Sequence, residues 1–194
     1  TRIAERCDPY PLESMLPGFP AERLAAHRDW LAPQFITERD ELLIAVHALV
    51  VESEGLRIVV DTCLGESIPA ACGPQPEPAF LDRLHAAGFP RESIDLVLCT
   101  HLHFDHVGWN TIRENNRLVP TFSSARYLFA RSEWEHWSQA EDKGYAVTLK
   151  ALHDKAFSTK QTGPNLFLKG NLQGHTLGST KKRILLANDF PIFP

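Results

Sequence analysis

Between Leu96 and Asn110 the chain reads LVLCTHLHFDHVGWN, which places His101, His103, Asp105 and His106 within six positions directly after an apolar run. Imidazole and carboxylate are ligands for borderline divalent metals, Zn(II) first, with Mn, Fe or Co as alternatives. In an extended chain alternate side chains point the same way, so His101 and His103 converge on one point while Leu102 and Phe104 pack behind them. A tight turn then aims Asp105 and His106 at a neighbouring point on the same side. Exposed loop histidines or turn caps are the bland alternative. Density argues against it, because three of the nine histidines fall in six positions, where a strand ends and loops carry function. A bound divalent metal lowers the pKa of coordinated water toward about 7 and polarises a carbonyl or phosphoryl oxygen, so hydrolysis is the natural chemistry. No Ser or Cys nucleophile is then required.

Elements able to carry this cluster are legible around it. The run ELLIAVHALVVESEGLRIVVDTCLG, from Glu41, is two β-branched strands joined at Ser53, Glu54 and Gly55, a hairpin pattern. His47 lies in the first strand and reads as a packed or surface residue. AFLDRLHAAG sets Phe80, Leu81 and Leu84 on one helical face, with Gly88 as its stop and His85 at its surface. IDLVLCT is a short buried strand whose end delivers the histidines. In ARYLFARSEWEHWSQ a strand through Tyr127 and Phe129 gives way to a helix begun near Ser132, with Glu133 and Glu135 suiting a helix start. AERLAAHRDWL has helical spacing, whereas the Pro-rich opening, about residues 1–20, reads as an irregular arm. GPNLFLKG and RILLAND look like strands, with the turn QGHTLGS between them. Alternating strands and helices point to an α/β or α+β sandwich.

At 194 residues, 43% hydrophobic, the chain reads as a single domain, 1–194, able to bury a core without crosslinks. A net charge of -4 offers no basic footprint, so nucleic acid and anionic membrane surfaces are poor partners and a small-molecule substrate fits better. A homodimer stays open. Cys7, Cys63, Cys72 and Cys99 show no CxxC spacing, which favours a reducing, cytoplasmic setting. No run of about 20 apolar residues suits a membrane span, and because the chain begins at Thr1 a removed leader stays open.

THLHFDHVGWN resembles the H-x-H-x-D-H signature of the metallo-β-lactamase superfamily. VVDTCLG, at Val59–Gly65, is similar to that family's strand ending in aspartate; ARYLFARSEWEHW resembles the segment after the motif in lactonase-like and esterase-like members; GHTLGS resembles its third-histidine turn. The resemblance runs from about Leu42 to Asp189. It implies an α+β fold, a four-layer αβ/βα sandwich with metals at the edge between two sheets. By position it implies that His101, His103 and His175 hold one metal, that Asp105 and His106 hold a second, that Asp189 bridges them, and that Asp61 orients a ligand histidine from behind. One or two zinc ions per chain are expected.

Two departures stand out. Leu177 replaces the usual Pro after Gly-His-Thr, with only 13 residues between His175 and Asp189, and the late histidine that relatives give the second metal has no counterpart before Pro194. The expectation is a longer natural chain, with part of the C-terminal half of the fold lacking here; an incomplete second site is the alternative.

The function implied is a metal-dependent hydrolase whose metal-bound hydroxide cleaves small esters or lactones, with Asp105 orienting the nucleophile or passing a proton. Di-iron redox members carry Glu where this chain has His103, so hydrolysis is favoured over redox chemistry. A phosphate-ester or phosphotriester hydrolase and a decayed binding module of the same fold are the alternatives. Trp109 and Trp134 are weak substrate-contact candidates, as is Trp137, against the simpler reading that tryptophans here pack the core or rim.

Overall fold

The computed structural model describes residues 1–66, 79–139 and 184–187. A six-stranded sheet, in the order β1-β2-β3-β4-β7-β8, organises them, with a separate hairpin of β5 and β6. β1 (Arg2–Pro11), β2 (Glu41–Ser53) and β3 (Leu56–Val60) are antiparallel neighbours. From β3 onward, β4 (Leu96–Leu98), β7 (Arg126–Ala130) and β8 (Ile184–Ala187) run parallel.

The β2–β3 hairpin forms where the sequence puts it. Its turn is two residues, Glu54 at φ 50° and Gly55 at φ 77°, the doubly positive geometry that matches strand twist. α3 (Phe80–Ala86) precedes β4 and buries Phe80 and Leu84 completely. It stops as expected, since Gly88 adopts φ 91° and its N–H reaches the His85 carbonyl at 2.9 Å. α5 (Arg131–Gln139) follows β7 directly, one residue ahead of the Ser132 start read from sequence.

The opening segment corrects the sequence reading. Arg2–Pro11 is not an irregular arm but the edge strand β1, paired to β2 along its length. Pro9 and Pro11 fit because, among the described residues, β1 pairs only with β2, so their missing N–H groups break no second ladder. The register slips between Ala4 and Arg6, leaving Glu5 as a bulge residue, and a bulge re-aims a side chain. Only then come α1 (Leu12–Met15) and α2 (Ala21–Leu31). A second omission is the hairpin of β5 (Thr111–Glu114) and β6 (Arg117–Pro120), turned by Asn115 and Asn116 at φ 50° and 61°. Asn tolerates that region better than other non-glycine residues.

One face of the sheet, through Ala48, Val50, Val59, Val97, Tyr127 and Phe129, packs on Phe80, Leu84, Ile94 and Phe122 to make the main core. The opposite face is apolar too: Leu96 and Leu98 pack with Leu128, while Leu49 and Val51 are exposed. Parallel strands apolar on both faces belong to a sheet covered on both sides, as a four-layer sandwich requires. Among the described residues no helix is long and apolar enough to cross a membrane.

Candidate metal centre

The histidine cluster sits beyond the C-terminal ends of β3 and β4, the edge of a parallel sheet where connecting loops converge. Two segments build it. After β3, Asp61 and Cys63 both adopt positive φ, 59° and 54°, a left-handed geometry that non-glycine residues hold only when the surroundings enforce it. After β4, the chain passes through Thr100 to the histidine loop, the single-turn helix α4 (Phe104–Val107) and a 3-10 turn at Gly108–Asn110.

The backbone shows what enforces that geometry. Thr62 N–H donates to the His106 carbonyl (2.8 Å), Gly108 N–H to that of Cys63 (2.7 Å), and Trp109 N–H to that of Thr62 (2.8 Å). The two segments are so close that a Cβ on Gly108 would overlap the Leu64 carbonyl, and one on Gly65 would overlap that of Gly108. Glycine is therefore required at both positions by close approach. Thr62 and Asn110, both fully buried, join through the Thr62 hydroxyl to Asn110 Oδ1 at 3.0 Å.

Within this frame the rings of His101 and His103 lie 4.6 Å apart between centroids, and those of His101 and His106 lie 3.9 Å apart. The convergence expected from alternation is present, and Leu102, 1% exposed, packs behind it. Phe104 departs from that expectation: it is 40% exposed, because α4 begins there and ends the strand-like alternation.

Asp61 ties the cluster down. Its Oδ1 accepts the Thr100 N–H (2.8 Å), its Oδ2 accepts the Thr100 hydroxyl (2.9 Å), and the same Oδ2 lies 2.9 Å from His106 Nδ1. A carboxylate against Nδ1 fixes the proton there and leaves the Nε2 lone pair for another partner, which is the arrangement behind a metal-ligating imidazole. In the chain alone Nε2 faces Asp105 Oδ2 at 3.4 Å, and because an ionised carboxylate only accepts, Nε2 carries a proton there that a bound cation would displace. Pairing first with Asp105 and then with Asp61 holds the His106 pKa up at about 9, and the same contact draws Asp105 below the ordinary carboxylate range. His101 moves the other way, lowered by burial and by its neighbours His106 and His103, which favours the neutral ring that a metal needs.

The donor set therefore suits a divalent cation: neutral-leaning nitrogen at His101, an oriented Nε2 at His106, the exposed ring of His103 and an ionised Asp105. Among the described residues no three such donors already stand together at ligand distance. His175 and Asp189 lie outside the described residues, as do His153 and Cys72.

Trp109 is a core residue. It is 5% exposed, stacks on Phe80 with centroids 6.1 Å apart, and donates its indole N–H to Glu5 Oε1 at 2.6 Å, so packing replaces the substrate-contact reading. Half-buried Trp134 stacks on Phe129 at 5.9 Å, again as packing. Trp137 meets the His103 ring edge-on at 5.6 Å.

Sequence reasoning missed two acids. Glu5, wholly buried at the β1 bulge, accepts the Leu64 N–H at 2.8 Å as well as the Trp109 indole. Burial pushes its carboxyl up against the pull of these donors. Glu133 on α5 accepts the Leu102 N–H at 3.0 Å, between two of the histidines. An acid in a Pro-rich opening and an acid at a helix start carry no local signal of such distant partners.

A family model described as the metallo-beta-lactamase superfamily matches residues 43–186, and the chain belongs to that superfamily. Over 61 residues it is 41% identical to the anti-Pycsar protein Apyc1 of Bacillus phage 010DV004, a stretch covering 31% of this chain and 18% of that protein. Among solved structures it is similar to AidC, a dizinc quorum-quenching lactonase in complex with a product, with TM-score 0.61 and 20% identity over 79% of this chain and 55% of that one. It is also similar to the hydrolase AbOPH of the beta lactamase superfamily (TM-score 0.56, 20% identity, 77% and 50% covered). A probable metal-dependent hydrolase from Staphylococcus aureus shares the fold too (TM-score 0.54, 17% identity, 76% and 52% covered). The chain thus spans about half the length of these solved structures.

Proposed function

We propose that this chain carries the metal-binding side of a hydrolase for small esters, with lactones as the preferred class. The carrying observation is the packing of His101, His103 and His106 within one cluster, with Asp61 holding His106 by Nδ1. Membership of the superfamily and the likeness to a dizinc lactonase support the reading.

In it, His101, His103 and His175 would hold one zinc ion and Asp105 and His106 a second, with Asp189 as a further ligand. Bound zinc supplies Lewis acidity toward an ester carbonyl and makes water acidic near neutral pH. The chain's own residues do the rest. Asp105, held ionised beside His106, offers Oδ2 as the acceptor that orients a nucleophilic water or takes its proton. Asp61 keeps the His106 Nδ1 proton in place, so that ring presents Nε2 in one orientation. Thr100 and Leu102, the first bonded to Asp61 and the second buried, fix the backbone on both sides of His101.

The test is a parallel assay of zinc-equilibrated protein on an N-acyl homoserine lactone and an aryl phosphotriester. Lactone turnover that is lost on chelation and in His103→Ala is the expected result. Turnover of the phosphotriester without the lactone would move the assignment to phosphorus esters, and zinc-loaded protein inert toward both would overturn hydrolysis.

A further inference from the structure

We infer that Glu133 is a positioning residue for the ligand loop, a role that rests on the metal-site reading above. Two donors meet on one of its oxygens: Glu133 Oε2 accepts the Leu102 N–H at 3.0 Å and the Trp137 indole N–H at 3.1 Å. Each donor leads to a candidate ligand. Leu102 is the residue between His101 and His103, and with its side chain buried and its N–H held, the peptide on which both rings depend has its position set from two directions. Trp137, one turn along α5 from Glu133, lays its indole edge-on to the His103 ring, centroids 5.6 Å apart at 80°. His103 is exposed, and the Trp137 contact and the held backbone act on it together with the His101 ring beside it.

Helix geometry explains why one acid does both jobs. Residues four apart share a helix face, so Glu133 and Trp137 approach the loop together. α5 in turn is fixed by its junction with β7, with Trp134 stacked on Phe129. The Arg131–Glu135 pair, at 3.8 Å and more exposed, faces elsewhere and serves as an internal control.

Because both bonds end on a single oxygen, what matters is an acceptor at that distance rather than the negative charge. Glu133→Gln retains a carbonyl oxygen of equal reach; Glu133→Asp retains the charge and withdraws it by one methylene; Glu133→Ala removes both. Zinc affinity is read by competition with a chelator, alongside thermal unfolding of each metal-free variant. The expected result is affinity weakened about 10- to 100-fold in Glu133→Ala and Glu133→Asp, near wild type in Glu133→Gln, and unchanged in Glu135→Ala, the range seen when groups behind a metal ligand are removed.

Folded Glu133→Asp and Glu133→Ala that bind zinc as wild type does overturn the positioning role alone, as does a Glu133→Gln weakened while Glu133→Asp is not. Should Glu133→Ala fail to fold, the Asp and Gln variants decide between them. Wild-type protein that takes up no zinc overturns the metal-site reading and this role with it.

Discussion

Two regions of similar length are built on opposite terms. In the cradle formed by Asp61–Gly65 and Thr100–Asn110, two backbones touch, two non-glycine residues hold positive φ, and buried polar side chains find partners across more than 40 residues of sequence. In the helical pair α1 and α2, Met15, Leu16 and Trp30 are exposed, Trp30 by 62%, and the main tethers run from Arg28 to Asp40 and to the carbonyl of Glu38. α2 has helical spacing of its own and buries Leu24, whereas α1 lies in the stretch that reads as irregular. The cradle is set by long-range bonds that overrule local preference, and such strain persists where the surroundings over-determine it.

If that contrast is right, substitutions in the two regions should differ widely in cost. The largest effect is expected at Gly108→Ala, where the added methyl meets the Leu64 backbone and neither segment can withdraw without breaking the cross-bonds. A loss of about 4 kcal/mol or more, seen as a collapse of the urea midpoint or of soluble yield, is the outcome that category of strain predicts. Next comes Glu5→Ala, which leaves the Leu64 N–H and the Trp109 indole buried without an acceptor. At about 1–3 kcal/mol for each orphaned group, a total near 3 kcal/mol in chemical denaturation is expected.

Thiol reactivity divides the molecule the same way at lower energy. Burial pushes the Cys99 thiol up to about 12, and burial aided by the charges of Glu5, Asp61 and Asp105 raises that of Cys63, whereas Cys7 is exposed on β1. Since the thiolate is the nucleophile, alkylation of native protein should mark Cys7 while Cys63 and Cys99 react only after unfolding. Early labelling of Cys63 would show that the cradle opens. The smallest effect is expected at Trp30→Ala, within about 0.5 kcal/mol, despite the edge contacts of its ring with His27 and Phe35. A loss comparable to that at Glu5 would erase the distinction.

This contrast also explains what could be read from sequence. The grouping of His101, His103, Asp105 and His106 was legible from type and spacing, whereas Asp61 came only through the resemblance of VVDTCLG to a family segment. Strands with β-branched runs were legible as well, β2 and β3 to their shared turn. What escaped was whatever depends on a distant partner. β1 is a strand because β2 lies beside it, not because its Pro-containing sequence prefers one. Glu5 earns its position from Leu64 and Trp109, 59 and 104 residues away. Trp109 was a weak substrate-contact candidate against the simpler reading of packing, and its inward-turned indole agrees with packing. The hairpin at Asn115–Asn116 was a missed local signal, since paired Asn suits a doubly positive turn.

The central claim is that this cluster holds a divalent cation, and elemental analysis of protein equilibrated with zinc and then desalted tests it most directly. The account predicts one or two zinc ions per chain for the wild type and a clear loss in His101→Ala and His103→Ala variants whose unfolding shows them to be folded. Zinc content near zero in the wild type, or equal in all three proteins, would contradict it.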